Sequence, residues 1–301
     1  MNLKSISKVF SLKVMLILPV QIILFFLVIV PTILVIWFSI TDYHLTFGVD
    51  FWNAKIVGLL NFMRILSDMD FIYALSRTIS VAVICTAMEF ALALLLCLLL
   101  SREFAGKGLF YALLIIPLMI PPIVVANTFW LLFTTNGPIN QIVSLFLGTD
   151  FRISWFSSPS LAMIPIILSE VWHWYPLTFL ILYAGMTSVS LSELRAAEIL
   201  GASDWQIFWR IQFPKIKQVI GIALVIRLME ALKVFDPVYL LTQGGPGTLT
   251  ETISYFLFKH GYFYGKIAYI SAGAWIVLFI CLISFSLAFK YVILGGRGEK
   301  G

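Results

Sequence analysis

An all-α integral membrane protein with six transmembrane helices is the fold class that three features of this sequence predict. Of its 301 residues, 61% are hydrophobic and only 12% charged, whereas about a quarter of a soluble domain carries charge. Crossing a hydrocarbon layer about 30 Å thick takes roughly 20 mainly apolar residues. Six such runs occur, at about 13–39, 77–100, 108–133, 160–184, 215–241 and 268–290. Nothing between them is long or polar enough for a separate soluble domain, so 1–301 reads as one membrane domain.

The first run follows Lys4, Lys8 and Lys13, a charged start like that of a signal peptide. Its apolar part continues to about Ile40 and is too long for one, so it is expected to stay as an anchor. With the N-terminus inside, twelve Lys and Arg residues fall on the inner side (4, 8, 13, 102, 107, 195, 210, 215, 217, 290, 297 and 300). Seven fall outside (55, 64, 77, 152, 233, 259 and 266), and the positive-inside rule therefore puts both termini in the cytoplasm. The net charge of +5 has the same origin and argues against a nucleic-acid partner.

Between the first two runs, the polar stretch 41–76 lies outside. Its second half spaces Phe62, Ile65, Leu66, Met69, Ile72 and Tyr73 three and four apart, as in a helix lying on a membrane surface or against other spans. Prolines punctuate the spans: Pro19 and Pro31 in the first, Pro117, Pro121 and Pro122 in the third, Pro165 and Pro176 in the fourth. Each removes a helical hydrogen bond and needs local compensation. Kinks beside a pathway through spans three and four are one reading; the ordinary frequency of proline in membrane helices is the other. Loop 134–159 carries turn signals at Asn136-Gly137-Pro138 and Ser158-Pro159. After the fifth run, TQGGPGT, Thr242 to Thr248, excludes a continuing helix.

Cys85, Cys97 and Cys281 all fall inside spans with no paired spacing, which makes packing their default role. His44, His173 and His260 form no metal-ligand pattern. The piece AGKG at 105–108 lacks the first glycine of a phosphate loop, where Ser101 stands, and its Ser or Thr, where Gly108 stands. Any ATP that drives the protein is expected to bind elsewhere.

The insert SELRAAEILGASDWQIFWRIQFPKIK joins spans four and five on the inner side. Ser190 with Glu193, and Ser203 with Gln206, match the capping box, and Gly201 sits where the first helix would stop. Two short helices follow, about 191–200 and 204–212. The second offers Trp205, Phe208, Trp209 and Ile211 beside Asp204, Gln206 and Arg210, more apolar surface than water tolerates without a partner or a membrane contact.

Ionisable residues inside spans cost about 2.5–3.5 kcal/mol each and ordinarily face a cavity or a partner. Span four carries Glu170, His173, Trp174 and Leu177 on one helical face, and span five carries Arg227, Glu230, Ala231, Lys233 and Val234. Two facing charged helices suggest a lined route. Alternatively, Glu170 and Arg227 form a mutual structural ion pair. Glu230 with Arg227 at i, i+3 reads as structural, Trp174 serves packing equally well, and Lys233 suits an interfacial, snorkelling position.

The segment AAEILGASDWQIFWRIQFP resembles the EAA loop of binding-protein-dependent ABC transporter permeases, with Ala196, Ala197, Gly201, Ala202, Phe208, Ile211 and Pro214 in the family's places. In two places it departs: the leading glutamate falls at Arg195 and the aspartate before the glycine at Leu200, so Glu198 or Glu193 would have to supply the carboxylate. VGLLNFMRIL with DFIYALSRT, GPIN, WFSSPSLA and FDPVYLLTQGGPGTLTETISYFLF are similar to other stretches of the carbohydrate permeases, in the same order. From about Val57 to Tyr291 the chain is identified as a member of their maltose-type branch.

That resemblance implies the ABC importer type I permease fold with a cytoplasmic coupling helix, in a bacterial or archaeal inner membrane. It implies no covalent chemistry and no catalytic residue. Solute would be contacted by Glu170, His173, Trp174, Leu177, Arg227, Ala231 and Val234. Coupling would fall to Arg195, Ala196, Ala197, Glu198, Gly201, Ala202 and Ser203. Implied partners are a second permease in a heterodimer, two ATPase subunits that bind ATP and magnesium, membrane lipid, and an external solute-binding protein received by 41–76 and 242–265. The solute is a sugar or sugar-like polyol; Arg227 and His173 also allow an anionic derivative such as a glycerol phosphate or a sulfonated sugar. From another class, an ion-gradient-driven secondary transporter would use Glu170, His173 and Glu230 as a relay, although no repeated halves are visible. A membrane enzyme lacks a nucleophile and base at suggestive spacing.

Overall fold

The computed structural model describes residues 3–45, 51–101 and 104–290. The side chains of Lys4, Lys8 and Lys13, residues 46–50 of the expected outer loop, Arg102, Arg297 and Lys300 lie outside the described residues. The elements in order are α1 (Leu3–Leu24), α2 (Val30–Ser39), α3 (Leu60–Leu66), α4 (Met69–Leu99), α5 (Lys107–Met119), α6 (Pro122–Phe133) and α7 (Pro138–Leu147), then α8 (Met163–Thr187), α9 (Leu191–Ile199), α10 (Asp204–Ile207), α11 (Phe213–Ala231), α12 (Ile253–Phe258) and α13 (Ile267–Phe289). Turns of π-helix join α1 to α2 at Phe25–Ile29 and α10 to α11 at Phe208–Gln212. Among the described residues the only bridge of strand type is the isolated pair Thr41 and Ile56.

Four helical stretches are long and apolar enough to cross a membrane: Val14–Ser39, Met69–Leu99, Met163–Thr187 and Ile267–Ser286. A fifth arises if the bent pair Lys107–Met119 and Pro122–Leu147 is one span. Two of the six expected runs are broken in the structure: the third, where a proline kink is one of the two readings, and the fifth. The third run breaks by 96° at Ile120 and Pro121, both with extended backbone, because a proline pushes the residue before it out of the helical region and two follow in succession. The fifth run, expected over 215–241, stops at Ala231; it is interrupted at 232–235 and resumes as a π turn at Val238–Thr242. Here the Thr252 hydroxyl donates to the Val234 carbonyl at 3.0 Å, satisfying a group that the broken helix leaves open.

The described chain divides into two compact units. One comprises Met1–Met69 with Leu257–Phe279. Within it, almost no residue of Val14–Ser39 is buried, as in a lipid-facing anchor. Past Ser39 the chain is tied down by the buried Asn61 amide, which donates to the carbonyls of Ser39 and Thr41 at 3.0 and 2.7 Å. Tyr269 donates to Asp68, and the Leu45 amide donates to Gly265 at 3.0 Å.

The other unit comprises Asp70–Phe256 with Ile280–Gly301. Its main core joins Ala93, Cys97 and Leu100 to Phe179 and Leu182 of α8, Phe208, and Ile216 and Ile220 of α11. At Gly185 the helices α8 and α11 come so close that a Cβ would stand 3.0 Å from Val219 Cγ1. The TQGGPGT stretch forms the expected non-helical loop. Gln243 and Gly244 take positive φ of 50° and 80°, and the Thr250 hydroxyl donates to the Gly245 carbonyl at 2.8 Å. Arg77 Nε donates to the Glu251 carbonyl at 2.9 Å and the Ile253 amide to the Thr78 hydroxyl at 2.7 Å, which fastens this loop to α4.

Candidate solute site and coupling segment

Residues three and four apart on α8 share a face, and on that face Glu170, His173 and Trp174 open onto one cavity of about 230 Å³. Pro122, Val125 and Ala126 of α6 form a second wall, and the interrupted stretch after α11 contributes Glu230, Lys233, Val234 and Asp236. The proline break therefore shapes the cavity, since Pro122 starts the wall where α5 ends. His173 also lies close to the Ile120 backbone, at the break. Of the seven residues expected to contact solute, four line this cavity: Glu170, His173, Trp174 and Val234. Ala231 is 1% exposed, Leu177 is half-buried, and neither is part of the lining.

Arg227 lies behind the cavity wall, 1% exposed. Its Nη2 donates to Glu170 Oε1 at 2.9 Å and to Glu89 Oε1 at 2.8 Å, and its Nε donates to Glu89 Oε2. The pair with Glu89 is the two-pronged fork that guanidinium and carboxylate form best. Nη1 is buried without a hydrogen-bond acceptor, and Cζ stands 5.1 Å from the Trp174 ring centroid, a cation–π contact of roughly 0.5–2 kcal/mol. Three helices, α4, α8 and α11, are thus pinned through one guanidinium. The Glu170–Arg227 ion pair is present in the structure. Its third member, Glu89, was not singled out by sequence reasoning, although it is the only acidic residue in the second apolar run.

The expected Glu230–Arg227 pairing along α11 does not form. Glu230 binds Lys233 at 2.7 Å instead, where both side chains are partly in solvent. Arg227 points inward, because two buried carboxylates leave a deeper demand there than a half-exposed one does.

At the other end of the same unit, α9 and α10 carry the expected coupling residues. Gly201 takes φ +82° and ends α9, a conformation that costs glycine little. The Ser203 capping box is complete: the Gln206 amide donates to Ser203 Oγ at 3.3 Å and the Ser203 amide to Gln206 Oε1 at 2.9 Å. The box expected at Ser190 and Glu193 is absent. Ser190 Oγ bonds Ser192 Oγ at 2.7 Å, and Glu193 is drawn to Lys215, a charged partner that outbids a backbone amide.

The helices expected over 191–200 and 204–212 come out as Leu191–Ile199 and as α10 running through a π turn into α11. Arg195, Ala196, Glu198, Gly201 and Ser203 are exposed, with Ala197 and Ala202 half-buried. Ile199 and Leu200 are 85% and 86% exposed and Trp205 is 63% exposed. The opposite side is anchored by Phe208, fully buried in the main core. Beneath these helices a cavity of about 620 Å³ is lined by Leu95, Leu98 and Leu99 of α4 with Leu194, Glu198 and Trp205. Phe208 thus ties this segment to the core that α4, α8 and α11 share.

Residues 90–293, more than half the chain, match the family model described as binding-protein-dependent transport system inner membrane component. The chain belongs to that family. This permease is similar to the trehalose/maltose transport system permease protein MalF of Thermococcus litoralis, at 33% identity over 284 residues, covering 94% of this chain and 93% of that one. It is also similar to the trehalose transport system permease protein SugA of Mycobacterium tuberculosis, at 31% identity over 251 residues, covering 83% and 78%. The permease shares its fold with a chain from the crystal structure of a bacterial ABC transporter involved in the import of the acidic polysaccharide alginate, with a TM-score of 0.82, 21% identity and 99% of each chain covered. It is a multi-pass component of an inner membrane.

Proposed function

We propose that this permease is one of two transmembrane subunits of an ATP-driven, binding-protein-dependent importer of a sugar or sugar-like solute. The observation that carries the reading is the cavity at which Glu170, His173 and Trp174 converge inside a bundle of spans. Carboxylate and imidazole hydrogen-bond hydroxyls, and an indole face covers the C–H side of a sugar ring. Relatives named for trehalose and maltose transport support the same class.

ATP and magnesium are bound by two separate ATPase subunits, into which the segment from Arg195 to Ser203 fits. Of the two carboxylates that can replace the family's glutamate, Glu198 is the better candidate, since Glu193 is engaged by Lys215. An external solute-binding protein delivers the solute to the outer loops, a second permease completes the route, and both termini face the cytoplasm of a bacterium or archaeon. When the ATPases close on ATP they draw the coupling helices together. Phe208 hands that motion to α4, α8 and α11, whose charged centre borders the cavity. Leu177 and Ala231 belong to the route as the spans shift.

Reconstitution of the permease with its partner permease, ATPases and binding protein in vesicles tests the reading. ATP-dependent sugar uptake is expected. Glu170→Gln or Trp174→Ala should lower it about tenfold or more while the subunits still assemble. Uptake by this chain alone, or uptake that ignores ATP and follows an ion gradient, contradicts it.

A further inference from the structure

Resting on the sugar-importer reading above, we propose that Glu89 sets the charge selectivity of the cavity, so that the permease takes neutral or cationic polyhydroxyl solutes and turns away phosphate, sulfonate and carboxylate derivatives. On sequence grounds Arg227 and His173 are the groups that would welcome an anion, and Arg227 is the fixed charge of the two. In the structure its guanidinium is held by Glu89 and Glu170, is 1% exposed and does not line the cavity. Two carboxylates against one guanidinium leave this centre with a formal charge of minus one. The cavity wall adds Glu230 and Asp236 against the single cation Lys233, and Lys233 is itself paired with Glu230. An anion entering a site of low dielectric therefore meets net repulsion. Neutral hydroxyls donate to the carboxylates without that cost, and an ammonium gains from them.

Glu89 is fully buried and does not line this cavity. It acts on the solute through Arg227, as a positioning residue that determines specificity. Without it the guanidinium would have only Glu170 to answer, and the centre would be formally neutral. The fold itself does not impose the preference, since a chain of the same fold serves in an importer of an acidic polysaccharide.

The test is isothermal titration of the assembled permeases and ATPases in nanodiscs, without ATP or binding protein, using trehalose, trehalose 6-phosphate and trehalosamine as probes. The native assembly should bind trehalose 6-phosphate about tenfold more weakly than trehalose, and trehalosamine at least as tightly as trehalose. Glu89→Gln should narrow the phosphate-to-trehalose gap to about threefold, and Glu89→Asp should keep it. Asp236→Asn, outside the buried centre, should also narrow the gap, and the comparison of probes on the native assembly decides the charge preference if Glu89→Gln fails to assemble. Equal binding of phosphate and trehalose by the native assembly overturns the proposal, as does a Glu89→Gln variant that weakens all three probes alike. Those outcomes leave the sugar site standing. Binding of none of the three, in an assembly that hydrolyses ATP, overturns the sugar-site reading together with the proposal.

Discussion

Arg227 is the residue on which the buried centre turns. Removing one partner of a buried ion pair costs about 3–5 kcal/mol, because the other charge is left uncompensated, whereas replacing all members by neutral side chains of similar volume is close to neutral. Arg227→Met is therefore expected to lower the melting temperature of the purified permease steeply. Adding Glu89→Gln and Glu170→Gln should recover most of the loss, a non-additivity that thermal unfolding of the series measures. A triple variant as unstable as the single one contradicts the assignment. Part of this centre was legible beforehand: charges inside spans are rare enough that Glu170 and Arg227 stand out in the sequence. Their third partner was not, because helical spacing offers Glu230 as the near neighbour of Arg227 while the choice of Glu89 depends on how α4 crosses α11.

Among the elements, the coupling segment makes the clearest demands. Its outer face is exposed and its inner face is fixed by Phe208, so truncating that ring should open a cavity worth about 3–5 kcal/mol. Phe208→Ala is expected to leave ATP hydrolysis running in the assembled importer while uptake falls, read as the ratio of solute moved to ATP consumed. An unchanged ratio in a folded variant contradicts the linkage. Ser203→Ala removes the capping box and should destabilise the start of α10 by about 1 kcal/mol, with a smaller effect in the same direction. At the crossing of α8 and α11, Gly185→Leu would drive a side chain into Val219. A cost of about 1–3 kcal/mol is expected, seen as a lower melting temperature. Gly201 and the Ser203 box could be read in advance because both are local chemistry. The Ser190 box could not, since Lys215 competes for Glu193 from 22 residues away.

For the molecule as a whole, composition alone was enough to place the chain in a membrane, and run length located the four unbroken spans. The two broken runs are the ones that carry the site, and the prolines of the third mark a kink there as one of two readings. Pro121 and Pro122 break one, and the interruption at 232–235, after the continuous helix Phe213–Ala231, breaks the other, so the polar cavity forms where helical regularity fails. Apolar run length cannot show this, because it measures burial in lipid and not the backbone that lines a cavity.

The account stands on the coupling segment meeting an ATPase. Single cysteines at Ala197 and Ser203, in the assembled importer with Cys281 replaced by serine, give the most direct reading through a short bifunctional thiol crosslinker. Capture of the ATPase subunit from both positions, with none from a cysteine at Asp150, in the loop expected on the outer side, is the expected result. Failure of both positions to capture it, in vesicles that still import solute, would contradict the account.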